Sequence, residues 1–397
     1  MTRKSRSYIY LSLGVLILFT GFYFWGPIRF ANGRGPLNSF DTMPVQTDSA
    51  IITIAFTGDI MGHTPLIEAM YQPQTKTYDY TPIFKHVAPY FKRCDWVIGN
   101  LEVTLAGAPY TGYPTFSSPD ALLNALLDAG YTTLITANNH SYDKGKNGFT
   151  RTLHVLDSMK MPHTGTFRDA SERDSLYPLI WESQNGFRIA LLNYTYGTNG
   201  IKVLPPNIVN MIDTSHIRKD LLKAKQQEVD FIITTFHWGV EYQRMESTQQ
   251  ALIAQFAADY GADLIIGAHP HVVQPIRWIT PKSDSTHHVP VFYSLGNFIS
   301  NQRDVYRDGG IIAEVVLVKK NNKVRIHSYQ YIPTWVYKKE SAPQNYTIIP
   351  VSMAEMYPTY FNLSSKDSVK LHRFGSDTRM LLHPISEKIP KWELMSE

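Results

Sequence analysis

Ala262-Asp263-Leu264-Ile265-Ile266-Gly267-Ala268-His269-Pro270-His271 decides the architecture. Its first half is a short apolar run with the character of a buried strand. Its second half sends two histidines, one residue apart, out of the strand's carboxyl end. Side chains alternate along a strand, so His269 and His271 point the same way if extended geometry continues. Pro270 cannot donate to a sheet ladder, which moves the pair to the loop just past the strand. Open α/β sheets bind their ligands at that place.

The same grammar recurs along the chain. Ile51 to Phe56 is a β-branched strand that runs into Gly58-Asp59, with His63 shortly after. Taken alone, Gly-Asp is as well explained by a turn or a helix cap. Trp96 to Leu101 ends in Asn100 and Glu102, spaced like the two histidines. Tyr131 to Thr136 leads into Asn138-Asn139-His140, with Asp143 and Gly145 following. Asp230 to Phe236 ends in His237-Trp238-Gly239-Val240-Glu241-Tyr242. Val291 to Leu295 ends at Gly296-Asn297-Phe298. Helices are expected between these strands, from Pro119 to Ala129, from about Lys146 to Met159 and from Gln249 to Tyr260. Their apolar residues recur at three- and four-residue spacing. Strands alternating with helices imply a largely parallel sheet covered by helices, with all the carboxyl ends on one edge. Ile311 to Lys319 and Lys323 to Ile332, separated by Asn321-Asn322, form a closing antiparallel hairpin. Beyond about Pro333 the chain is polar and irregular.

Five strand ends thus carry Asp59, Asn100 with Glu102, Asn139 with His140, His237, and His269 with His271. Any one has a bland explanation as a turn. Together they make a mixed oxygen and nitrogen donor set, which suits one or two divalent cations of the Mn, Zn or Fe(II) type better than calcium. A carboxylate can bridge two such ions about 3.5–4 Å apart, and the pair clamps the attacking and leaving oxygens of a displacement.

Composition narrows the class. The 397 residues carry 38 basic and 34 acidic side chains, a mixed balance that excludes the footprint of a nucleic-acid binder. The single cysteine, Cys94, rules out an intrachain disulfide and is expected as a small buried residue. Arg3, Lys4 and Arg6 precede an uncharged, apolar run from Ser7 to Ile28, about the ~20 residues that span a bilayer as a helix. Residues 1–28 are therefore expected to be a basic flank and membrane anchor with a cytoplasmic N-terminus, the main domain being extracytoplasmic. A cleaved signal peptide is the alternative, with Ala31-Asn32-Gly33 as its only small-x-small site. Residues 29–50 have a linker's composition, residues 51–335 make the main domain, and residues 336–397 are an extension without recognisable chemistry.

Six ordered blocks resemble the CapA family of capsule and poly-γ-glutamate synthesis proteins, whose domain is similar to calcineurin-like metallophosphatases. They are Gly58-Asp59, Asn100-Leu101-Glu102, Thr136 to His140 with Asp143 and Gly145, His237 to Tyr242, Gly267 to Gln274, and Ser294 to Phe298. The resemblance runs from about Ile51 to Asn301 and implies a layered α-β-β-α sandwich. It implies that Asp59 and His271 hold one metal, that Asn139, His237 and His269 hold another, and that Glu102 bridges them. His140, with Asp143, would face the leaving group; Asn100, Glu241, Gln274 and Asn297 would contact substrate or orient ligands. Metallophosphatases carry a histidine where this chain has Met61, so either the first metal is weakly held or His63 replaces that ligand. Two functions follow as expectations. One is an anchored hydrolase acting on a phosphoester or on a γ-glutamyl or glycan polymer. The other is a non-catalytic, polymer-holding subunit that works with synthesis and export proteins. A nucleotidase-like scavenger fits the blocks less well.

Overall fold

The computed structural model describes residues 49–340 and 345–392. The expected membrane anchor, signal-peptide alternative and most of the linker lie outside these residues. Among the described residues no helix is long and apolar enough to cross a membrane.

Two β-sheets form the centre. The first has eight strands, in the order Tyr346–Pro350, Lys323–Lys338, Gly309–Lys320, Ser49–Ile60, Trp96–Leu101, Thr133–Ile135 and His163–Thr164, with Asn297–Ile299 also pairing the Ser49–Ile60 strand. The second has six, in the order Ile276–Ile279, Val289–Phe292, Leu264–Ala268, Phe231–His237, Arg188–Thr195 and Leu179–Glu182. In both, the strands that end in candidate ligands pair in parallel, and antiparallel strands flank them.

Alternation along each strand explains the layering. Ile52, Ile54, Phe56, Trp96 and Ile98 of the first sheet meet Ile189, Leu191, Phe231, Ile233, Leu264 and Ile266 of the second in one core between the sheets. The intervening residues of the first sheet, such as Ala55, Val97 and Leu101, pack under the helices Ala121–Ala129 and Gly145–Ser158. Those of the second sheet, such as Ala190, Leu192, Ile232 and Ile265, pack under Thr214–Gln226 and Thr248–Tyr260. Period-2 strands with both faces apolar can be satisfied only by cover on both sides, so the α-β-β-α sandwich follows from the pattern. The expectation of one largely parallel sheet is corrected: the ligand-bearing strands belong to two sheets stacked face to face.

The helices follow their sequence signals. Ser247 caps the Thr248–Tyr260 helix, its hydroxyl accepting from the Gln250 amide in a capping box. Gly130 and Gly261 end their helices in the left-handed conformation.

The reading of the C-terminal part as irregular is also corrected. The Lys323–Lys338 strand runs through the boundary expected at residue 335, and Tyr346–Pro350 pairs beside it. The helix Ser365–Leu382 puts Leu371, Phe374 and Leu382 into the inter-sheet core. Its apolar residues are sparse in sequence because only one narrow stripe is needed to close the edge of that core.

Candidate metal centre

The rim of the sandwich where both sets of parallel strands end gathers the charged and imidazole groups. Parity places them. Asn100 and Glu102 continue the inward series of Trp96 and Ile98, and His237 continues that of Phe231 and Ile233. Asp59 is out of step with Ile52, Ile54 and Phe56, and a β-bulge corrects it. Thr57 pairs with Gly99 and Asp59 with Asn100, so Gly58 is an extra residue that turns Asp59 inward. Gly58 is obligatory there, because a Cβ would lie 1.9 Å from the Gly296 carbonyl oxygen.

The stretch Ser294 to Asn297 crosses from the second sheet to the first and stitches the rim. The Asp59 amide donates to the Gly296 carbonyl at 3.0 Å, and the Leu295 amide donates to the Gly267 carbonyl at 3.2 Å. The expected strand from Val291 to Leu295 accordingly stops at Phe292 in the second sheet, and a separate strand, Asn297–Ile299, pairs in the first. His269 and His271 do not continue the extended chain. Their φ angles are 100° and 57°, in the region that L-residues avoid. Both histidines nevertheless reach the cluster, with ring centroids 5.8 Å apart.

Two buried groups of side chains can each hold a cation: Asp59, Glu102 and His237, and Glu102, His269 and His271. Glu102 belongs to both, as a bridging ligand must. The His269 ring lies 4.8 Å from that of His237 and 5.8 Å from that of His271, so it stands near both groups. Asn139 sits beside His237, its side-chain oxygen 2.7 Å from Nε2, and Glu102 Oε1 lies 3.5 Å from the same nitrogen. His271 Nδ1 lies 3.0 Å from Asp59 Oδ2 and 3.1 Å from Asn297 Oδ1. Both are acceptors, so Nδ1 carries a proton and donates. Asn100 donates to Asp59 at 2.9 Å and to Glu102 at 3.3 Å, and stands 3.3 Å from His237 Nδ1.

The electrostatics favour a cation. Burial, and the neighbouring Asp59 carboxylate, push Glu102 well above the usual carboxylate range. Burial works to raise Asp59 too, but the hydrogen bond and charge of His271 hold it lowered. Burial and the other imidazoles push His237 well down and His269 to about 3, so both offer neutral nitrogen. Glu102 Oε1 and His269 Nδ1 are buried without a hydrogen-bond partner. Buried polar atoms are rarely left so. Two carboxylates, neutral imidazoles and an amide oxygen, with lone pairs converging unpaired, fit a divalent cation.

His140 and Asp143 form a dyad beside the cluster. His140 Nδ1 donates to Asp143 Oδ2 at 2.7 Å, and the Phe116 amide donates to the same oxygen at 2.7 Å. Phe116 in turn meets the His140 ring edge to face at 4.6 Å. The other expected residues divide. Asn297 orients His271 and donates to the Arg307 carbonyl at 2.8 Å. Glu241 is exposed, and its charge helps to raise Glu102. His63 does not replace the missing ligand through Nδ1, which accepts from the Asn301 amide at 3.2 Å, while burial holds its pKa near 4. Met61 packs into the core under the helices. Gln274 is a correction: its amide bonds Gln250, Gln243 and Met245, bracing the loop after His237 and touching no ligand.

Three further residues carry weight here: Tyr196 and Asn199, which lie outside the motifs, and Tyr242, which ends one of them. Tyr196 lies 4.6 Å from the His269 ring and stacks nearly parallel to His237 at 6.3 Å. Burial, with the Glu241 and Glu102 charges, pushes its hydroxyl up to about 12, so it stays protonated beside Asn139. Asn199 accepts from the Asn139 amide at 3.1 Å. Both stand in or beside the loop after the Arg188–Thr195 strand, whose length is the one sequence signal for them. Tyr242, at φ 68°, flanks His271, and the Arg307 guanidinium lies 4.1 Å over its ring.

Residues 53–302 match the family described as bacterial capsule synthesis protein PGA_cap. The chain is 30% identical over 267 residues to the capsule biosynthesis protein CapA of Bacillus anthracis, covering 63% of this chain and 60% of that relative. It is 25% identical over 311 residues to the PGA biosynthesis protein CapA of Bacillus subtilis strain 168, covering 76% and 74%. Among solved structures, the calcineurin-like phosphoesterase YfkN of Bacillus subtilis superposes over 83% of this chain and 98% of that one, with a TM-score of 0.44 and 13% identity.

Proposed function

The chain belongs to the bacterial capsule synthesis protein PGA_cap family, and from that premise we propose that it is a membrane-anchored, extracytoplasmic, metal-dependent hydrolase of an anionic capsule-type polymer such as poly-γ-glutamate. The observation that carries this reading is the pair of buried ligand groups sharing Glu102, drawn from both sheets.

Asp59, Glu102, Asn139, His237, His269 and His271 would hold the cation or cations, of the Mn, Zn or Fe(II) type that mixed nitrogen and oxygen donors prefer. When bound, such ions supply Lewis-acid polarisation and an activated water. The protein's own groups do the rest. His140, its Nδ1 proton fixed on Asp143, presents Nε2, which would accept a proton and, once protonated, pass it to a departing group. Tyr196 covers His237 and His269 and limits water on that side. Glu241, exposed beside the site, would disfavour anions, while the Arg307 guanidinium over Tyr242 supplies a cation nearby.

The test is metal content together with turnover. The purified full chain is offered Mn, Zn and Fe(II) and assayed on phosphodiesters and on poly-γ-glutamate. Retained metal and cleavage of one substrate, both lost in Glu102→Gln and His237→Ala, are the expected result. A wild-type protein that binds none of these ions overturns the reading.

A second reading has its own support. Met61 lies in the core, leaving the Asp59 group one imidazole short of a metallophosphatase pair. On that reading the centre grips polymer without cleaving it, as part of a synthesis and export assembly. Full restoration of polymer in a deletion strain by a Glu102→Ala, His140→Ala protein would favour it.

A further inference from the structure

Away from the metal centre, the structure has a cavity of ≈ 530 Å³ between the end of the Lys323–Lys338 strand and the start of the Ser365–Leu382 helix. Arg303, Lys338, Lys339 and Lys370 line it. Arg303 Nη2 donates to the Val336 carbonyl at 2.6 Å, which fixes the guanidinium. Its Nη1 is buried and has no hydrogen-bond partner. Leaving such a donor unpaired is costly, the more so for a charged group. Burial works against the Arg303 charge, and Asp308, the acid that most favours it, also accepts from the Trp335 indole at 2.8 Å.

Two acids, Asp367 and Glu340, stand on the cavity wall against these four cations. Asp367 accepts from the Ser364 hydroxyl at 2.6 Å, and its charge favours the Arg303 cation. Glu340 is exposed at the rim. Lys338 is pinned to Asn301 at 3.2 Å and over the Tyr346 ring, so its ammonium is positioned in advance. Asn301 also donates its backbone amide to His63, which ties the cavity wall to the rim of the metal centre.

We propose that this cavity is an anion subsite that takes carboxylate groups of an acidic polymer, holding a segment of the chain while another segment lies at the metal centre. The volume exceeds that of a single oxyanion, and the cations are spread around it, which suits successive carboxylates along a chain. The polymer's identity rests on the proposed function; the anion site rests on Arg303 and the lysines.

The experiment uses the full chain and three probes: poly-γ-glutamate, inorganic phosphate and a neutral polymer of similar length. Binding is measured by titration calorimetry at two salt concentrations. Lys339→Glu with Lys370→Glu changes exposed or half-exposed side chains and keeps the fold; Arg303→Gln removes the buried donor. Each is expected to weaken poly-γ-glutamate binding at least about tenfold and to flatten its salt dependence. Metal content and cleavage of a small phosphodiester should be unchanged. Variants that bind poly-γ-glutamate as tightly as the wild type overturn the proposal. So does a wild type that binds phosphate but not the polymer. If the wild type binds the polymer through these residues yet holds no metal, the hydrolase reading fails and the subsite stands.

Discussion

Glu102 shows why single residues here cannot be judged alone. Fully buried, with Asp59 and His271 as neighbours, it is a poor carboxylate without a cation and a bridging ligand with one. His269 illustrates strain held for a purpose. A non-glycine residue at φ 100° costs on the order of 1–3 kcal/mol. His269→Ala and His269→Gly should therefore both lose metal, while the glycine variant is more stable than the alanine one by about 1 kcal/mol in denaturant unfolding. Equal stability would mean that the φ angle carries no strain. His86 gives a pH prediction away from the metal ligands. Burial depresses its pKa to about 4, and its Nδ1 has no hydrogen-bond partner. A histidine with a depressed folded pKa binds its proton more readily when unfolded. Its contribution is fully present above about pH 6.5 and is lost as pH falls from there towards 4. His86→Leu should remove up to one proton from the linkage, flattening the slope of unfolding free energy by at most about 1.4 kcal/mol per pH unit in that window. An unchanged slope would show that His86 titrates normally.

At the scale of elements, the bulge at Gly58 is the feature on which the Asp59 position depends. Gly58→Ala would drive a methyl group into the Gly296 carbonyl. The strands must part or Asp59 must turn. The expected result is a loss of about 3 kcal/mol or more, with metal content lost in whatever fraction folds. Full metal occupancy in a stable Gly58→Ala protein would show that the bulge does not position Asp59. The strand ends were legible because a β-branched run that stops at a polar residue has one reading. The bulge was not, since nothing in Thr57-Gly58-Asp59 distinguishes an extra residue from a turn. The break between Val289–Phe292 and Asn297–Ile299 was equally hidden. Gly296 permits the crossing, but which sheet each half joins depends on partners far along the chain.

For the whole molecule, the C-terminal part is structural. Leu371, Phe374 and Leu382 each bury a side chain worth about 2 kcal/mol in the inter-sheet core, and Tyr346–Pro350 covers a sheet edge. A chain ended after Glu340 should therefore lose cooperative unfolding and be degraded by limited proteolysis within the main domain; a soluble, protease-resistant product would show the segment to be dispensable. Its sequence concealed this because an edge-closing helix needs few apolar residues. By contrast, the sequence by itself determined the strands that carry the candidate ligands, the helices between them and which candidate donors stand at the strand ends, since alternation and residue chemistry are local. Only the tertiary structure decided that two sheets share the site and that Asp59 is turned inward beside His271. Those outcomes depend on contacts between residues hundreds of positions apart, such as the 3.0 Å approach of His271 to Asp59, and no local pattern encodes a distance of that kind.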